Sequence, residues 1–297
     1  MKIITLVRFL QCPFCHNTHL SLKSEKIYCR QCQSVFKIVE GVPILIKEEK
    51  FNLQEFKQKK WFEKHYAQFS RENYVLENWR ESMLKRIFEI SFRNKIKTYL
   101  DIGCGATGYT VIEAAKRNDW TSFGVDISLE AMLRAKNLAK KQGVENKTGF
   151  IVCSAENLPF KPNTFDYLSG VSVLEHIEND GVVIKNFWNI LKKSGHAYIC
   201  VPNTYWKMWP FLWPVYFYLD YKIGHKRHYS IESLTGKMGK NLFKLRHVKY
   251  NGHLIKLLQL VLEKFHLITE EQWWFIEKKD INGGESGIQL NAVYQKK

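Results

Sequence analysis

The sequence predicts a mostly parallel, doubly wound α/β domain that follows a small metal-binding module. From Ile96 onward, short apolar runs alternate with helical patterns, which is typical of parallel strands joined by crossover helices. Before residue 47, four cysteines occur as two close pairs, which is typical of a zinc site. A chain of 297 residues has room for one large domain and one small one.

The cysteine pairs are Cys12 with Cys15 and Cys29 with Cys32, separated by thirteen residues. Each C-x2-C pair brackets a tight turn, and two such turns complete a tetrahedral sulfur site for Zn²⁺. Four thiolates leave no open coordination position, so the predicted zinc is structural. Residues 1–46 are therefore predicted to form a zinc ribbon that depends on the metal for stability.

Residues 47–75 are predicted to be a linker and helical lead-in. The segment Lys47 to Lys60 is rich in charged residues, which is typical of a linker, and a helical pattern begins at Trp61. The main domain is predicted over residues 76–297, with an aromatic insertion at 205–229 and a helical insertion at 251–286.

Seven strands are predicted in the main domain, and ligands are expected at the carboxyl ends of the parallel ones. The strands are Thr98–Ile102, Thr121–Asp126, Gly149–Cys153, Phe165–Gly170, His196–Val201, Phe243–Tyr250 and Ile288–Tyr294. Helices are predicted at Tyr109–Arg117, at Leu129–Gln142 after the cap Ser128, and at Gly181–Lys192.

A glycine turn follows the first of these strands. Gly103, Gly105 and Gly108 let backbone turn sharply and approach a ligand, and they also match the dinucleotide fingerprint. Asp101 lies two residues before the turn, where a carboxylate repels a pyrophosphate but attracts the ammonium of S-adenosylmethionine (SAM). Asp126 ends the next strand, where it can accept both ribose hydroxyls of either nucleoside.

These residues, with three later motifs, resemble the class I SAM-dependent methyltransferase family. The later motifs are Ser154–Phe160, Phe165–His176 and Leu191–Pro202. The variant is most similar to the ubiquinone- and menaquinone-type subfamily. The resemblance implies a Rossmann-like seven-stranded sheet, with helices before the first strand that fold over the cofactor or simply pack the core. It implies SAM contacts from Asp101, Gly103, Gly105, Gly108, Asp126, Ile127, Ser154, Ala155 and Gly170.

The N-terminal module resembles other protein families than the main domain does. Val35–Ile46 resembles the closing strands of the small zinc-ribbon protein that activates some tRNA and translation-factor methyltransferases. A zinc module ahead of a methyltransferase also resembles the guanine methyltransferases of large-subunit ribosomal RNA.

Three histidines are candidates for the chemistry. His176 follows the fourth strand, and His225 and His228 lie on a loop that resembles the acceptor-facing loop of small-molecule methyltransferases. Methyl transfer needs a general base only when the acceptor holds a proton of high pKa. We expect His176 and His225 to take that role, the alternative being structural histidines.

The net charge of the chain does not identify its binding partner. The chain has 45 Lys+Arg against 29 Asp+Glu, a net charge of +16, which suits RNA, an acidic lipid surface or no particular partner. With no signal pattern and no apolar run long enough to span a membrane, we expect a cytoplasmic protein, with peripheral membrane contact left open. The aromatic run Tyr205–Tyr221 fits either a membrane-facing patch or a buried lid.

The sequence thus predicts a methyltransferase that acts on oxygen or carbon of a small-molecule, lipid-like or glycan-linked acceptor. The alternatives are an RNA methyltransferase that uses the ribbon and the basic surface, a non-catalytic methyltransferase activator, and an NAD enzyme.

Overall fold

The structure is a computed structural model with two sheets, one of four strands and one of seven. It describes residues 1–47, 49, 51, 53–67, 77–90, 95–256, 259, 262, 265 and 267–297.

The N-terminal module is an antiparallel meander. Helix α1 (Ile3–Val7) precedes strands β1 (Leu20–Lys23), β2 (Lys26–Cys29), β3 (Val35–Val39) and β4 (Val42–Pro43). Strands β1 and β2 are joined by a two-residue turn at Ser24 and Glu25, both with positive φ, and Glu40 and Gly41 make the same kind of turn between β3 and β4. Such turns match the twist of the flanking strands, so the meander closes tightly.

The large sheet has the predicted doubly wound topology. Its strands are β5 (Thr98–Ile102), β6 (Thr121–Asp126), β7 (Thr148–Val152), β8 (Phe165–Val171), β9 (Leu191–Pro202), β10 (Phe243–Asn251) and β11 (Gln289–Lys296). Their order is β10-β11-β9-β8-β5-β6-β7. Strands β5 to β9 are parallel to one another, and β11 is antiparallel to both β9 and β10. The prediction of a mostly parallel seven-stranded sheet is confirmed.

Eight further helices are described. They are α2 (Leu53–Ala67), α3 (Asn78–Phe88), α4 (Tyr109–Asn118), α5 (Leu129–Lys141), α6 (Asp180–Ile190), α7 (Trp213–Ile223), α8 (Ile231–Lys240) and α9 (Glu270–Ile281). The predicted cap is confirmed, because Ser128 Oγ accepts the Ala131 N–H at 3.2 Å.

Several boundaries differ from the prediction, and two of the differences have a clear cause in the tertiary structure. Helix α2 begins at Leu53, so the predicted linker at Lys47–Lys60 is wrong over its second half; the tertiary contacts described below hold this charged segment as a helix. The helix predicted to reach Lys192 ends at Ile190, because Leu191 already pairs with Phe165 in the sheet. The helical pattern at 254–268 lies partly outside the described residues, as do residues 68–75 of the predicted lead-in.

The N-terminal module packs directly on the large sheet. Leu45 N–H donates to the Val152 carbonyl at 2.8 Å, and Ile44 forms a parallel bridge with Val152, so this segment lies along the edge strand β7. Leu10 forms a second bridge with Phe160. The module and the sheet share one hydrophobic core, and covering β7 also removes an exposed strand edge.

This packing predicts that Leu45→Ala destabilises the whole chain. Leu45 is 1% exposed, and truncating a buried leucine costs about 2–5 kcal/mol because it removes apolar contacts and leaves a cavity. Leu22→Ala is the control, because Leu22 lies in the same module and is 37% exposed. Urea unfolding measures both; equal, small effects would contradict a shared core.

Candidate functional site

The four N-terminal cysteines converge as predicted. Cys12 Sγ lies 3.5 Å from Cys32 Sγ, and Cys15 Sγ lies 3.4 Å from Cys29 Sγ. All four sulfur atoms lie within 4.8 Å of one another. Tetrahedral Zn²⁺ with bonds of about 2.3 Å needs sulfur atoms about 3.8 Å apart, so the donor set and its size fit this ion.

Each cysteine pair is shaped by a residue in the left-handed region. His16 follows Cys15 at φ 58°, and Gln33 follows Cys32 at φ 57°. The His16 N–H donates back to the Cys12 carbonyl at 3.0 Å. These turns aim two thiols at one point, which is what the C-x2-C spacing predicts.

The glycine turn lies at the carboxyl end of β5. Gly103 has φ 70°, and a Cβ there would lie 2.6 Å from Val173 Cγ2. Gly105 has φ 64°, and its N–H donates to Asp126 Oδ2 at 3.1 Å. Both positions favour glycine for conformational reasons, and Gly103 for space as well.

Asp126 joins two strand ends. Its other oxygen accepts the Ser128 N–H at 3.0 Å, so one carboxylate holds both the glycine turn and the start of α5. Burial raises the pKa of Asp126 to about 6, against the opposing effect of the N–H donors. The carboxylate is largely ionised at pH 7 and keeps lone pairs for a ligand.

Asp101 lies in the strand next to it. Its carboxylate accepts hydrogen bonds from the hydroxyls of Ser169 and Thr110. Burial raises the pKa of Asp101 to about 6, and the nearby Asp126 contributes in the same direction. Two buried carboxylates at one sheet edge therefore give a negative site that suits a cation.

The other predicted cofactor residues lie at the same edge. Gly170 pairs with Ile102 across β8 and β5, Ile127 directly follows β6, and Ser154 and Ala155 follow β7 into a short 3₁₀ turn. A nucleoside ligand fits this arrangement, because the glycines supply close backbone approach and the strand ends supply polar atoms.

Helix α2 covers this edge, and its first half, Leu53 to Lys60, lies where the sequence predicts a linker. Ser154 Oγ donates to Glu55 Oε1 at 2.6 Å, and Gln58 Nε2 donates to the His176 carbonyl at 3.0 Å. The Tyr66 hydroxyl lies 3.1 Å from where a Cβ of Gly105 would be. The sequence leaves two roles open for the helices before the first strand, which are covering the cofactor and packing the core. The position of α2 over the strand ends matches the first role.

The predicted histidines meet beside this edge. The rings of His176 and His225 are 4.8 Å apart, and His225 Nδ1 lies 2.6 Å from Asp220 Oδ1. Asp220 was missed by the sequence analysis; its signal was a lone acid in an aromatic run. A carboxylate at Nδ1 fixes the histidine tautomer and leaves Nε2 to accept a proton.

His228 is held differently. Its Nδ1 lies 2.6 Å from the Asn203 carbonyl, and its Nε2 lies 2.8 Å from Asp220 Oδ2. Both ring nitrogens thus lie against oxygen atoms of the protein, which holds the ring in place from two sides. Tyr205 stacks on this ring at 4.2 Å and donates its hydroxyl to Asp220.

His176 and its neighbour Glu175 are both buried and both neutral near pH 7. Burial lowers the pKa of His176 to about 4, assisted by His225. Burial raises the pKa of Glu175 to about 8. These two groups therefore add no net charge to this part of the site near pH 7.

A separate cavity of about 1260 Å³ lies at the amino-terminal edge of the parallel strands. Its lining is rich in cationic side chains: Lys85, Arg86, Lys95, Lys192, Lys193, Arg246, Lys249 and Lys278. The candidate site lies at the opposite ends of the same strands.

The structure thus combines a mostly parallel α/β sheet with a glycine turn, two acidic strand ends and a histidine loop. Residues 100–199 match the family described as a methyltransferase domain. Over these residues the chain is similar to that family, in agreement with the resemblance drawn from the sequence.

Curated relatives include enzymes with different acceptors. Norajmaline N-methyltransferase of Rauvolfia serpentina is 40% identical over 85 residues, which is 29% of this chain and 29% of that protein. Demethylmenaquinone methyltransferase of Geobacillus sp. (strain WCH70) is 28% identical over 166 residues, 54% of this chain and 68% of that protein. The chain thus spans less than a third of the first of these relatives.

A solved structure has the same fold. Geranyl diphosphate C-methyltransferase from Streptomyces coelicolor A3(2), in complex with Mg²⁺, geranyl diphosphate and S-adenosyl-L-homocysteine, superimposes with a TM-score of 0.60 at 13% identity. The match covers 83% of this chain and 99% of that one. At this identity the likeness shows the fold alone.

His176 predicts an acid-dependent loss of stability. The pKa of about 4 lies below the value of about 6.5 expected on unfolding, so the unfolded state binds more protons between them. Stability therefore falls as pH drops, by about 2 kcal/mol from pH 7 to pH 5 for this group. His176→Gln should remove that component in urea unfolding at both pH values, whereas identical profiles for the two proteins would contradict a neutral, buried ring.

Proposed function

We propose that the chain transfers a methyl group from SAM to oxygen or carbon of a small-molecule, lipid-like or glycan-linked acceptor. The observation that carries the proposal is the placement of Asp101, Asp126 and the glycine turn beside the paired His225 and Asp220. One edge of the sheet thus holds both a site for a cationic nucleoside and a group that can take a proton.

In this proposal Asp101 attracts the ammonium of the amino-acid part of SAM, directly or through water. Asp126 accepts the ribose hydroxyls, and Gly103, Gly105 and Gly108 let the backbone approach. Ile127, Ser154, Ala155 and Gly170, which lie at the same strand ends, would hold the adenosine part of the cofactor. Bound SAM supplies an electrophilic methyl group activated by its sulfonium.

The protein's part in the transfer is to orient the acceptor, exclude water and remove a proton. Helix α2 lies over the strand ends, so it shields the reacting groups from solvent. His225 is the proposed base, because Asp220 orients it and leaves Nε2 for the acceptor proton. The lowered pKa makes His176 a weaker base near pH 7, so we assign it to the wall of the acceptor site.

That the methyl group goes to oxygen or carbon is our proposal. The relatives include N-methyltransferases and the fold neighbours a C-methyltransferase, so their names span several acceptor types. The stretch Ser169–His176, which spans the end of β8 and the turn after it, lacks the polar-Pro-Pro-aromatic run of amino-directed nucleic-acid methyltransferases, and this disfavours adenine and cytosine amino groups as acceptors. The partial match to demethylmenaquinone methyltransferases supports, at the level of sequence, the proposed quinone-type subfamily.

For the N-terminal module we propose a structural zinc ribbon of the methyltransferase-activator type. The support is the donor set of four sulfur atoms and their spacing. Its packing along β7 favours a role in stabilising the domain, rather than a separate activator of another enzyme.

An RNA acceptor is the second candidate, favoured by the basic cavity. That cavity opens at the amino ends of the strands, whereas methyl transfer is proposed at the carboxyl ends. A strand of five to seven residues separates the two edges by roughly 17–23 Å. RNA held in the cavity would need to wrap around the domain to reach His225, which disfavours this candidate.

The cofactor site predicts that Asp126→Ala weakens SAM binding by about tenfold to a hundredfold. A charge-assisted hydrogen bond contributes about 1.5–3 kcal/mol, and the variant also frees the Gly105 turn. Calorimetric titration with SAM measures the effect, and Asp119→Ala, which removes an exposed acid, is the control. Equal affinities for both variants would remove Asp126 from the site.

Activity is tested by transfer of tritiated methyl from SAM into lysate separated into RNA, lipid, small metabolites and protein. We expect label in the lipid or metabolite fraction, and its loss with Asp126→Ala. Label in RNA that disappears at high salt would support the RNA candidate instead, because phosphate contacts are strongly salt-dependent. Binding of NAD, but not of SAM, would reject both.

The ribbon predicts one zinc ion per chain. Cys32→Ser should lower both the zinc content and the melting temperature, because Cys32 is an exposed residue whose sulfur completes the set. Cys200→Ser is the control, since this buried thiol lies outside the cluster. Metal analysis of the purified chain measures zinc; a zinc-free chain of unchanged stability would contradict the ribbon.

A further inference from the structure

An aromatic face lies next to the histidine loop. Large side chains are exposed here at Trp206 (82%), Trp209, Phe211 (60%), Phe217, Tyr218 and Tyr221 (88%), which we call the aromatic face. Water-exposed aromatic surface of this extent marks an interaction site rather than ordinary surface.

The face is organised by the periodicity of α7. Exposed residues recur at Phe217, Tyr218 and Tyr221, which are three and four residues apart and so lie on one side of the helix. Two 3₁₀ turns, Tyr205–Lys207 and Pro210–Leu212, add further exposed aromatics before the helix. Pro210 lies in the second of these turns and Pro214 in the first turn of α7, which is consistent with a segment that is not one continuous helix.

The charges of this segment complement an acidic surface. Between residues 205 and 223, the cations are Lys222 and Lys207, the latter paired with Glu285, and the acid is Asp220. Asp220 is turned away from the face, because its oxygens contact His225 and His228. Exposed aromatics flanked by lysines, on a chain of net charge +16, match the interfacial region of an anionic bilayer.

The geometry excludes insertion across a bilayer. Helix α7 has 11 residues, about 16 Å, against a hydrocarbon core of about 30 Å. Within the part of the chain that the structure describes, no helix is long and apolar enough to cross a membrane. The face can only lie in the plane of the interface.

We propose that the aromatic face docks the protein on anionic phospholipid bilayers. The inference rests on the proposed function, and it narrows the acceptor to a membrane lipid. Helix α7 carries both the exposed aromatics and Asp220, whose oxygens contact His225 and His228, so docking places the His225 loop beside the bilayer. A lipid acceptor then reaches the site from the membrane rather than from solution.

The experiment is co-sedimentation of the full chain with phosphatidylcholine vesicles, with and without phosphatidylglycerol. We expect binding to the mixed vesicles, weakened by salt, and a loss of about fivefold to tenfold in partitioning for Phe211→Ser. Phe275→Ser is the matched control, because Phe275 is 59% exposed on α9, outside the face. It should leave partitioning unchanged.

Several outcomes would overturn the inference. These are no binding to mixed vesicles, an equal loss with Phe275→Ser, or a dimer in light scattering that Phe211→Ser dissociates without vesicles. SAM titration of each variant in the absence of lipid separates the two proposals. Lost vesicle binding with intact SAM binding supports docking through this face, whereas intact vesicle binding without SAM binding rejects only the proposed function.

Discussion

The Asp126 carboxylate is the contact on which the candidate site depends. It accepts N–H groups from Gly105 and Ser128, and so ties the turn after β5 to the helix start after β6. Parallel strands bring these two ends together, but only a buried acceptor at this point can satisfy both donors. Burial destabilises the charged form of Asp126 and so raises its pKa. The two hydrogen bonds offset part of this effect.

Around that contact the chain builds a layered site. Helix α2 touches Ser154 through Glu55 and His176 through Gln58, so it connects the loops after β7 and β8. Helix α7 does the same from the other side, because Asp220 holds both His225 and His228. Each helix orders groups that come from distant parts of the sequence, and this preorganisation is what methyl transfer requires of a protein.

The N-terminal module is part of the same folded unit as the large sheet. Its last strand is followed by Ile44 and Leu45, which extend along β7 by one bridge and one hydrogen bond. An edge strand with unpaired backbone groups is a site of unwanted association, and the module covers it. A metal held by the four cysteines would then stabilise more than its own loops, because the module and the large sheet share a core.

The sequence by itself determined the glycine turn, the cysteine pairs and the alternation of strands and helices, because each depends on residues close together in the chain. It also placed Asp101, Asp126, Ser154 and Gly170 at strand ends, since parallel topology follows from that alternation. The tertiary structure alone decided that α2 begins at Leu53 and that Asp220 pairs with the histidines. Contacts such as Glu55 with Ser154 join residues 99 positions apart. Whether the aromatic run is buried or exposed was likewise decided by packing, because local hydrophobicity is the same in both cases.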